Sequence, residues 1–301
     1  MAVCGLLNLN KPGGMTSRAA INRLQRLLPK RTRVGHAGTL DPLASGVLIA
    51  AVGPATRLID YVQRMPKCYS ATFLLGRRSP TEDTDGPVEE LADPPVPTRQ
   101  EIVAAAGSFV GQIQQRPPDF SALKVKGRRA YDLARAGKKV DLAARPVEIY
   151  RLDVVAYDYP ELTVEVGCGS GTYVRSLGRD LARSLGTEAV MSALTRTAIG
   201  HFTLGAAVDP TVLDETSLAE HLLSPLCAVV ALPRITLSAD ELTEIHHGRT
   251  IAYRPPATDG SPGMMAGGAE MAAVDPQGRL AAILIRRGEN RLGPVRNFPS
   301  E

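Results

Sequence analysis

Cysteine is scarce and scattered in this 301-residue chain. Cys4, Cys68, Cys168 and Cys227 form neither a Cys-x-x-Cys pair nor a cluster with histidine, which argues against a zinc site and a disulfide framework and predicts free thiols and no bound metal. Long apolar runs are missing too. None approaches the roughly 20 residues that a helix needs to cross a bilayer, and the N-terminal Met-Ala-Val-Cys-Gly-Leu-Leu-Asn-Leu-Asn-Lys lacks the cationic segment of a secretory signal. The expectation is a cytoplasmic globular protein with no membrane partner. Neither sign of charge dominates, and a net charge of +4 says little about partners by itself.

With 44% of its residues hydrophobic, a chain of this length can bury one large domain and a smaller one. Its charge is unevenly spread. Between Ser121 and Arg145, eight basic residues (Lys124, Lys126, Arg128, Arg129, Arg135, Lys138, Lys139 and Arg145) are set against only Asp132 and Asp141. A compact cationic element suits phosphate neutralisation, although a solvated basic helix face would read the same. Arg116-Pro-Pro118 introduces this segment, which sits like an insertion between core elements.

Leu6, Leu7 and Leu9 predict a strand ending at Lys11-Pro-Gly-Gly14, after which Thr16 or Ser17 caps a helix carrying Ile21, Leu24 and Leu28 up to Pro29. Residues 47–52 read as a buried strand or the apolar start of the next element, 57–65 as a helix closed by Pro66, and 69–75 as a strand. Glu82-Asp-Thr-Asp-Gly86 opens like a calcium loop but lacks the later ligands and the closing Glu, so a plain turn is expected, in which Asp83 has no special part. A helix near 99–106 follows the loop Asp93-Pro-Pro-Val-Pro97. Residues 162–166 alternate like a strand, and from Thr172 a helix sets Val174, Leu177, Leu181 and Leu185 on one face and Arg175, Arg179 and Arg183 on the other. Beyond about Leu232 come a short helix to His247, a loop rich in Pro, Gly and Met, and a hairpin turn at Asp275-Pro-Gln-Gly278, a pattern that suggests a small barrel.

The most informative stretch is Gly35-His-Ala-Gly-Thr-Leu-Asp-Pro-Leu-Ala-Ser-Gly46, which places one carboxylate, Asp41, in a glycine-rich loop. Pro42 biases Asp41 towards an extended or turn geometry from which its side chain can project. In isolation Asp-Pro is also an ordinary turn dipeptide, and His36 an ordinary loop histidine. The flanks decide between these readings. Upstream stands Gly5-Leu-Leu-Asn-Leu-Asn-Lys-Pro-Gly-Gly-Met-Thr-Ser17; downstream come Lys67-Cys-Tyr69 before Ala71-Thr-Phe-Leu-Leu-Gly76, then Ser121-Ala-Leu-Lys124 and Gly171-Thr-Tyr-Val-Arg175. In this order, over roughly the first two-thirds of the chain, they resemble the bacterial tRNA pseudouridine synthases of the TruB family.

That resemblance implies an α+β fold: a mixed, largely antiparallel sheet of the pseudouridine synthase type with flanking helices, and a small PUA-like C-terminal β domain. Residues 1–231 would form the catalytic domain, with a basic thumb-like insertion at about 121–147, and 232–301 an RNA-binding domain that adds contacts outside the target loop. The implied reaction is isomerisation of uridine 55 in the T loop of tRNA by an aspartate nucleophile without a cofactor, performed by a monomer with no obligate protein partner. Asp41, Tyr69 and Arg175 fall on the family's catalytic positions. His36, Tyr173 and Leu194 fall on positions around the target nucleotide, and Lys11, Lys124, Arg128, Arg129 and Arg196 are expected to meet RNA. Where the family commonly has two adjacent arginines this chain reads Leu-Thr-Arg-Thr, keeping only Arg196.

Other chemistries fare worse. Val164-Glu-Val-Gly-Cys-Gly-Ser-Gly171 looks like the glycine loop of an S-adenosylmethionine methyltransferase, but that fold needs a parallel strand ending in an acidic residue about 20 positions on, and Glu188 precedes its apolar run instead. A base deaminase would require the His-x-Glu and Pro-Cys-x-x-Cys signature, which is missing. A non-catalytic RNA-binding module shares the basic features but has no reason to aim Asp41 at a polyanion.

Overall fold

The computed structural model describes residues 3–120, 142–254, 269–288 and 290–298, together with the backbone of 124–125 and 128–129. Residues 47–52 carry no polar side chain because β3 (Ser45–Val52) is covered on both faces. Leu48, Ala50 and Val52 enter one core, and Val47, Ile49 and Ala51 enter another. β1 (Gly5–Lys11) pairs antiparallel along the length of β3 and divides its leucines likewise, Leu7 and Leu9 to the first core and Leu6 to the second. On the far side of β3 the sheet continues through β12 (Ala189–Ile199), β4 (Lys67–Leu75), β11 (Glu161–Cys168), β10 (Arg145–Asp158) and β7 (Gly111–Gln115). Two short strands, β2 (Val34–His36) and β13 (Phe202–Thr203), join β3 and β12. Every pairing is antiparallel except the contact of β12 with β3. Since β11 is antiparallel to both neighbours, the glycine loop after it does not belong to a doubly wound nucleotide fold.

The first core receives α1 (Ser17–Leu27), whose Thr16 cap accepts from Ala19 N at 3.0 Å, α3 (Arg99–Gly107) with a Thr98–Glu101 capping box, and α4 (Val174–Ser184). α4 lies very close to the sheet. A Cβ at Gly178 would fall within the van der Waals envelope of the Phe73 ring on β4. On the opposite face, Tyr61 and Val62 of α2 (Ile59–Arg64) fill the second core. The helix expected over 57–65 begins earlier, as a 3-10 turn over Gly53–Leu58 with Pro54 near its start, before α2 proper. Bulges between Met191 and Ala193 and between Arg196 and Ala198 break the alternation of β12. Small ribbons pair β5 (Arg77–Arg78) with β6 (Glu89–Glu90) and β8 (Lys124–Val125) with β9 (Arg128–Arg129).

After α5 (Glu215–Glu220), a second sheet follows the order β14 (Arg234–Thr236), β16 (Glu270–Val274), β17 (Leu280–Arg286), β18 (Arg291–Asn297) and β15 (Ile251–Ala252). The turn at Asp275–Gly278 is held by the Asp275 carboxylate, which accepts from the amides of Gln277 and Arg279. Met271, Leu284 and Ile245 of α6 (Ala239–His246) belong to a core of this sheet's own, while Ala272, Leu280, Ile283 and Phe298 join the second core beneath β3. The architecture is the expected α+β one. The loop rich in Pro, Gly and Met falls mostly on residues 255–268, outside the described ones, as do most side chains of the basic insertion.

Candidate active site

One edge of β3 is shared between two strands. β12 pairs with its start, Thr195 opposite Ser45 and Arg196 opposite Gly46, whereas β2 pairs with its end, His36 opposite Ala50 and Val34 opposite Val52. The chain leaving β2 therefore crosses the opening between them to re-enter β3, and the loop over 37–44 makes that crossing. Gly38 and Gly46 have φ of +98° and +100°, and a Cβ at Gly46 would collide with the backbone of Arg196. The loop's carbonyls are held from three sides. Gly14 N donates to Pro42 O at 2.8 Å, Ser17 Oγ to Leu40 O at 2.9 Å and Arg196 Nη2 to Gly38 O at 3.1 Å. With its backbone pinned, the loop leaves the Asp41 side chain 36% exposed at the wall of a cleft of about 290 Å³.

Arg175, in the first turn of α4, approaches Asp41 from the other wall, its Nη2 lying 3.0 Å from Asp41 Oδ2. The same guanidinium places Nη1 3.2 Å from Asp83 Oδ2 and donates to the carbonyls of Thr81 and Phe120. Asp83 is buried. Loss of solvent pushes its carboxyl above the usual range despite Arg175, and the charge of Asp41 pushes the same way. One turn on, Arg179 is also buried. It pairs with Glu82 and Asp180 and donates to Arg116 O, while Ser176 Oγ donates to Glu82 Oε2 at 2.8 Å. The face of α4 that carries its arginines is thus partly internal, with Arg183 alone of the three exposed. The turn over 82–86 is stitched to β12, Met191 N donating to Glu82 O and Thr84 N to Met191 O, and Glu82 takes a left-handed φ of +63°. Sequence reasoning missed Asp83, Glu82 and Arg179. The signal it passed over was a run of three carboxylates with no cation beside it, which needs countercharge from elsewhere in the fold.

Tyr69 of β4, opposite Arg196, and Leu194 of β12, opposite Ala71, line the cleft with Tyr173, the residue before α4. Burial raises the Tyr69 phenol above its ordinary value, and the nearby Arg196 guanidinium opposes this. Gln115 holds Tyr173 at both backbone groups, accepting from its N at 2.8 Å and donating to its O at 3.1 Å. His36 lies outside the cleft lining. Its imidazole is pushed below its usual value, chiefly by burial, and Nδ1 has no partner among the described residues.

Two expected RNA contacts are placed differently. Lys11 is fully buried, its ammonium donating to the carbonyls of Pro12 and Met15 at 2.9 and 2.6 Å and, more loosely, to Pro42 at 3.5 Å. Burial lowers its pKa to about 8, while Asp41 pulls the other way. A lysine before Pro-Gly-Gly reads as a surface cation, but the turn folds its own carbonyls around it. Arg196 is 2% exposed, and Nε donates to Val47 O at 2.7 Å, so it braces the loop rather than reaching outwards. For Lys124, Arg128 and Arg129 only the backbone ribbon is described.

Residues 25–174 match the model of the TruB family pseudouridylate synthase (N terminal domain). The chain is 42% identical over 291 residues to tRNA pseudouridine synthase B of Arthrobacter sp. strain FB24, covering 94% of this chain and 93% of that one. To the protein of the same name in Caulobacter sp. strain K31 it is 36% identical, with 99% and 96% covered. Among solved structures, a chain of a Cbf5-Nop10-Gar1 complex superposes with a TM-score of 0.73 at 24% identity, covering 98% of this chain and 84% of that one. A chain of an H/ACA RNP bound to a substrate RNA containing 2'-deoxyuridine gives 0.71 at 22% identity, with 98% and 85% covered, and at such identities the likeness concerns the fold.

Proposed function

The chain belongs to the TruB family of pseudouridylate synthases, and from that premise we propose that it converts uridine 55 in the T loop of tRNA to pseudouridine with Asp41 as the nucleophile. The observation that carries this reading is the Asp41–Arg175 pair at 3.0 Å in a cleft that Tyr69, Tyr173 and Leu194 also line. Isomerisation breaks the bond between C1′ and N1, turns the uracil, forms a bond between C1′ and C5, removes the C5 proton and leaves a proton on N1. Atoms balance without a co-reactant. The nucleophile must be aimed, which a bonded guanidinium does.

A uridine inside a folded T arm has to be extruded first, at a cost of a few kcal/mol that stacking in the cleft offsets. Tyr69 supplies that stacking surface beside Leu194, and Tyr173 the opposite wall. As the general base for C5, Tyr69 must first give up the proton that burial favours, and Arg196 is the group beside it that stabilises a phenolate. Water is kept from the intermediate by the fit of the base against these side chains.

Incubating the purified protein with unmodified tRNA and mapping pseudouridine tests the reading directly: a single modified uridine in the T loop is expected. Asp41→Asn, nearly isosteric but uncharged and a poor nucleophile, should abolish formation while tRNA affinity stays within about tenfold, or roughly 1.4 kcal/mol. Normal turnover by this variant would falsify the role of Asp41.

A further inference from the structure

Four cationic side chains line the cleft, and their hydrogen bonds separate one from the rest. Lys67 is buried, its ammonium donating to the carbonyls of Gln63 and Met65. Arg175 is divided between two carboxylates and two carbonyls, and Arg196 is buried on Val47 O and Gly38 O. Arg145, the first residue of β10, makes a single hydrogen bond among the described residues, from Nη2 to Gly171 O at 2.6 Å, and no ion pair there. Its guanidinium lies over the Tyr173 ring, 5.2 Å from the centroid. A cation over a ring leaves its N–H groups available for hydrogen bonds, and four of the five guanidinium donors have no partner among the described residues. The support is stiff, because Tyr173 is clamped by Gln115, and Gln115 sits opposite Arg145 in the β7–β10 pairing.

We propose that Arg145 is the phosphate-binding residue of the cleft mouth: its free guanidinium edge holds a phosphodiester that flanks the extruded uridine, with Tyr173 as its platform. This rests on the reading of the Asp41 cleft as the uridine site. A nucleotide that enters base first with its ribose at Asp41 must leave both flanking phosphates at the rim, and a cation already desolvated on one face loses less hydration on meeting an anion than a free one would. Arginine suits the task because its planar fork can bind two phosphate oxygens while remaining stacked.

The test pairs protein variants with neutralised phosphates in a T-arm stem-loop. Arg145→Met should weaken binding about tenfold at moderate salt and flatten the slope of log K against log salt by about 0.7, as expected for one lost single-strand phosphate contact. KM should rise much more than the single-turnover rate at saturating RNA falls. Arg145→Lys should keep the slope. A methylphosphonate at one of the two linkages flanking the target uridine should cost the parent protein as much as Arg145→Met does, and should cost that variant nothing more. An unchanged salt slope in Arg145→Met, or losses that add in full at both linkages, would overturn the proposal and leave Arg145 as a prop for Tyr173. These outcomes are read against an active parent protein, whereas failure of the uridine-site reading would appear as a parent that makes no pseudouridine.

Discussion

Asp41 and Asp83 hold opposite ends of one guanidinium: Arg175 reaches the first through Nη2 and the second through Nη1. The first carboxylate is half-exposed in the cleft and the second is buried behind it. Arg175 therefore cannot follow Asp41 outwards without leaving Asp83, and the position of the cleft carboxylate is fixed from behind by a residue that touches no substrate.

Asp83→Asn, which the turn-like sequence suggests should be silent, is therefore expected to slow pseudouridine formation roughly 100-fold, the order of loss that follows a misplacement of about 1 Å. Tight RNA binding should persist. The raised pKa of Asp83 adds a pH signature. Protonation would release Arg175, so the parent rate should fall on the acid side at a pH above the ordinary aspartate range, and the variant should lack that limb. Stability has the opposite sign. The folded state binds this proton more tightly than the unfolded one, so Asp83 contributes most below its unfolded pKa and that contribution declines as pH rises through the folded value. Denaturant titrations of parent and variant across this window should differ in slope accordingly.

The basic insertion is tested through Lys124, Arg128 and Arg129, whose residues lie on the paired strands β8 and β9. Replacing all three with Ala should weaken tRNA binding and flatten its salt slope by about two to three units, roughly one per phosphate contact. Turnover at saturating tRNA should stay closer to normal. A slope equal to the parent's would identify the ribbon as a solvated face.

Removing residues from about Leu232 onwards would be harmless to chemistry if the C-terminal segment only added RNA contacts. The packing argues otherwise. Phe298, Ile283, Leu280 and Ala272 share a core with Leu6, Val47 and Ile49, Arg296 makes two 2.9 Å bonds to Asp60 and lies over the Tyr61 ring, and Arg57 donates to Asn297 O. Uncovering that face removes several buried side chains at once, each contributing about 1.5–3 kcal/mol. The truncated protein should therefore melt lower and lose activity on an isolated T-arm stem-loop and on whole tRNA alike. Selective loss on whole tRNA would show the catalytic sheet to be self-sufficient.

What the sequence made legible was what neighbours along the chain decide. The apolar run over 47–52, the cap at Thr16 or Ser17 and the Asp275 turn follow from local pattern, and the glycine loop around Asp41 was visible through the order of its flanks. The rest depended on partners distant in the chain. Asp83 is unremarked until the turn after β5 is laid against Arg175 of α4, and Arg179 looks like a surface charge until Glu82 meets it from across the same gap. Lys11 and Arg196 depend on the fold in the same way. A cation's chain position says nothing of whether backbone carbonyls will enclose it, and both are consumed in holding the loop.

Gly178 gives the cleft its gauge. Asp41 rides on the β3 loop and Arg175 on α4, so the gap between carboxylate and guanidinium is set by how deeply that helix settles on the sheet, and the hydrogen atom at position 178 against the Phe73 ring sets that depth. The spacing of a reactive pair is thus written into a residue with no side chain, one turn away from the chemistry. A helix lifted by the thickness of a methyl group would part the pair while leaving most of the hydrophobic core in place, so catalytic rate is a finer measure of this seating than thermal melting.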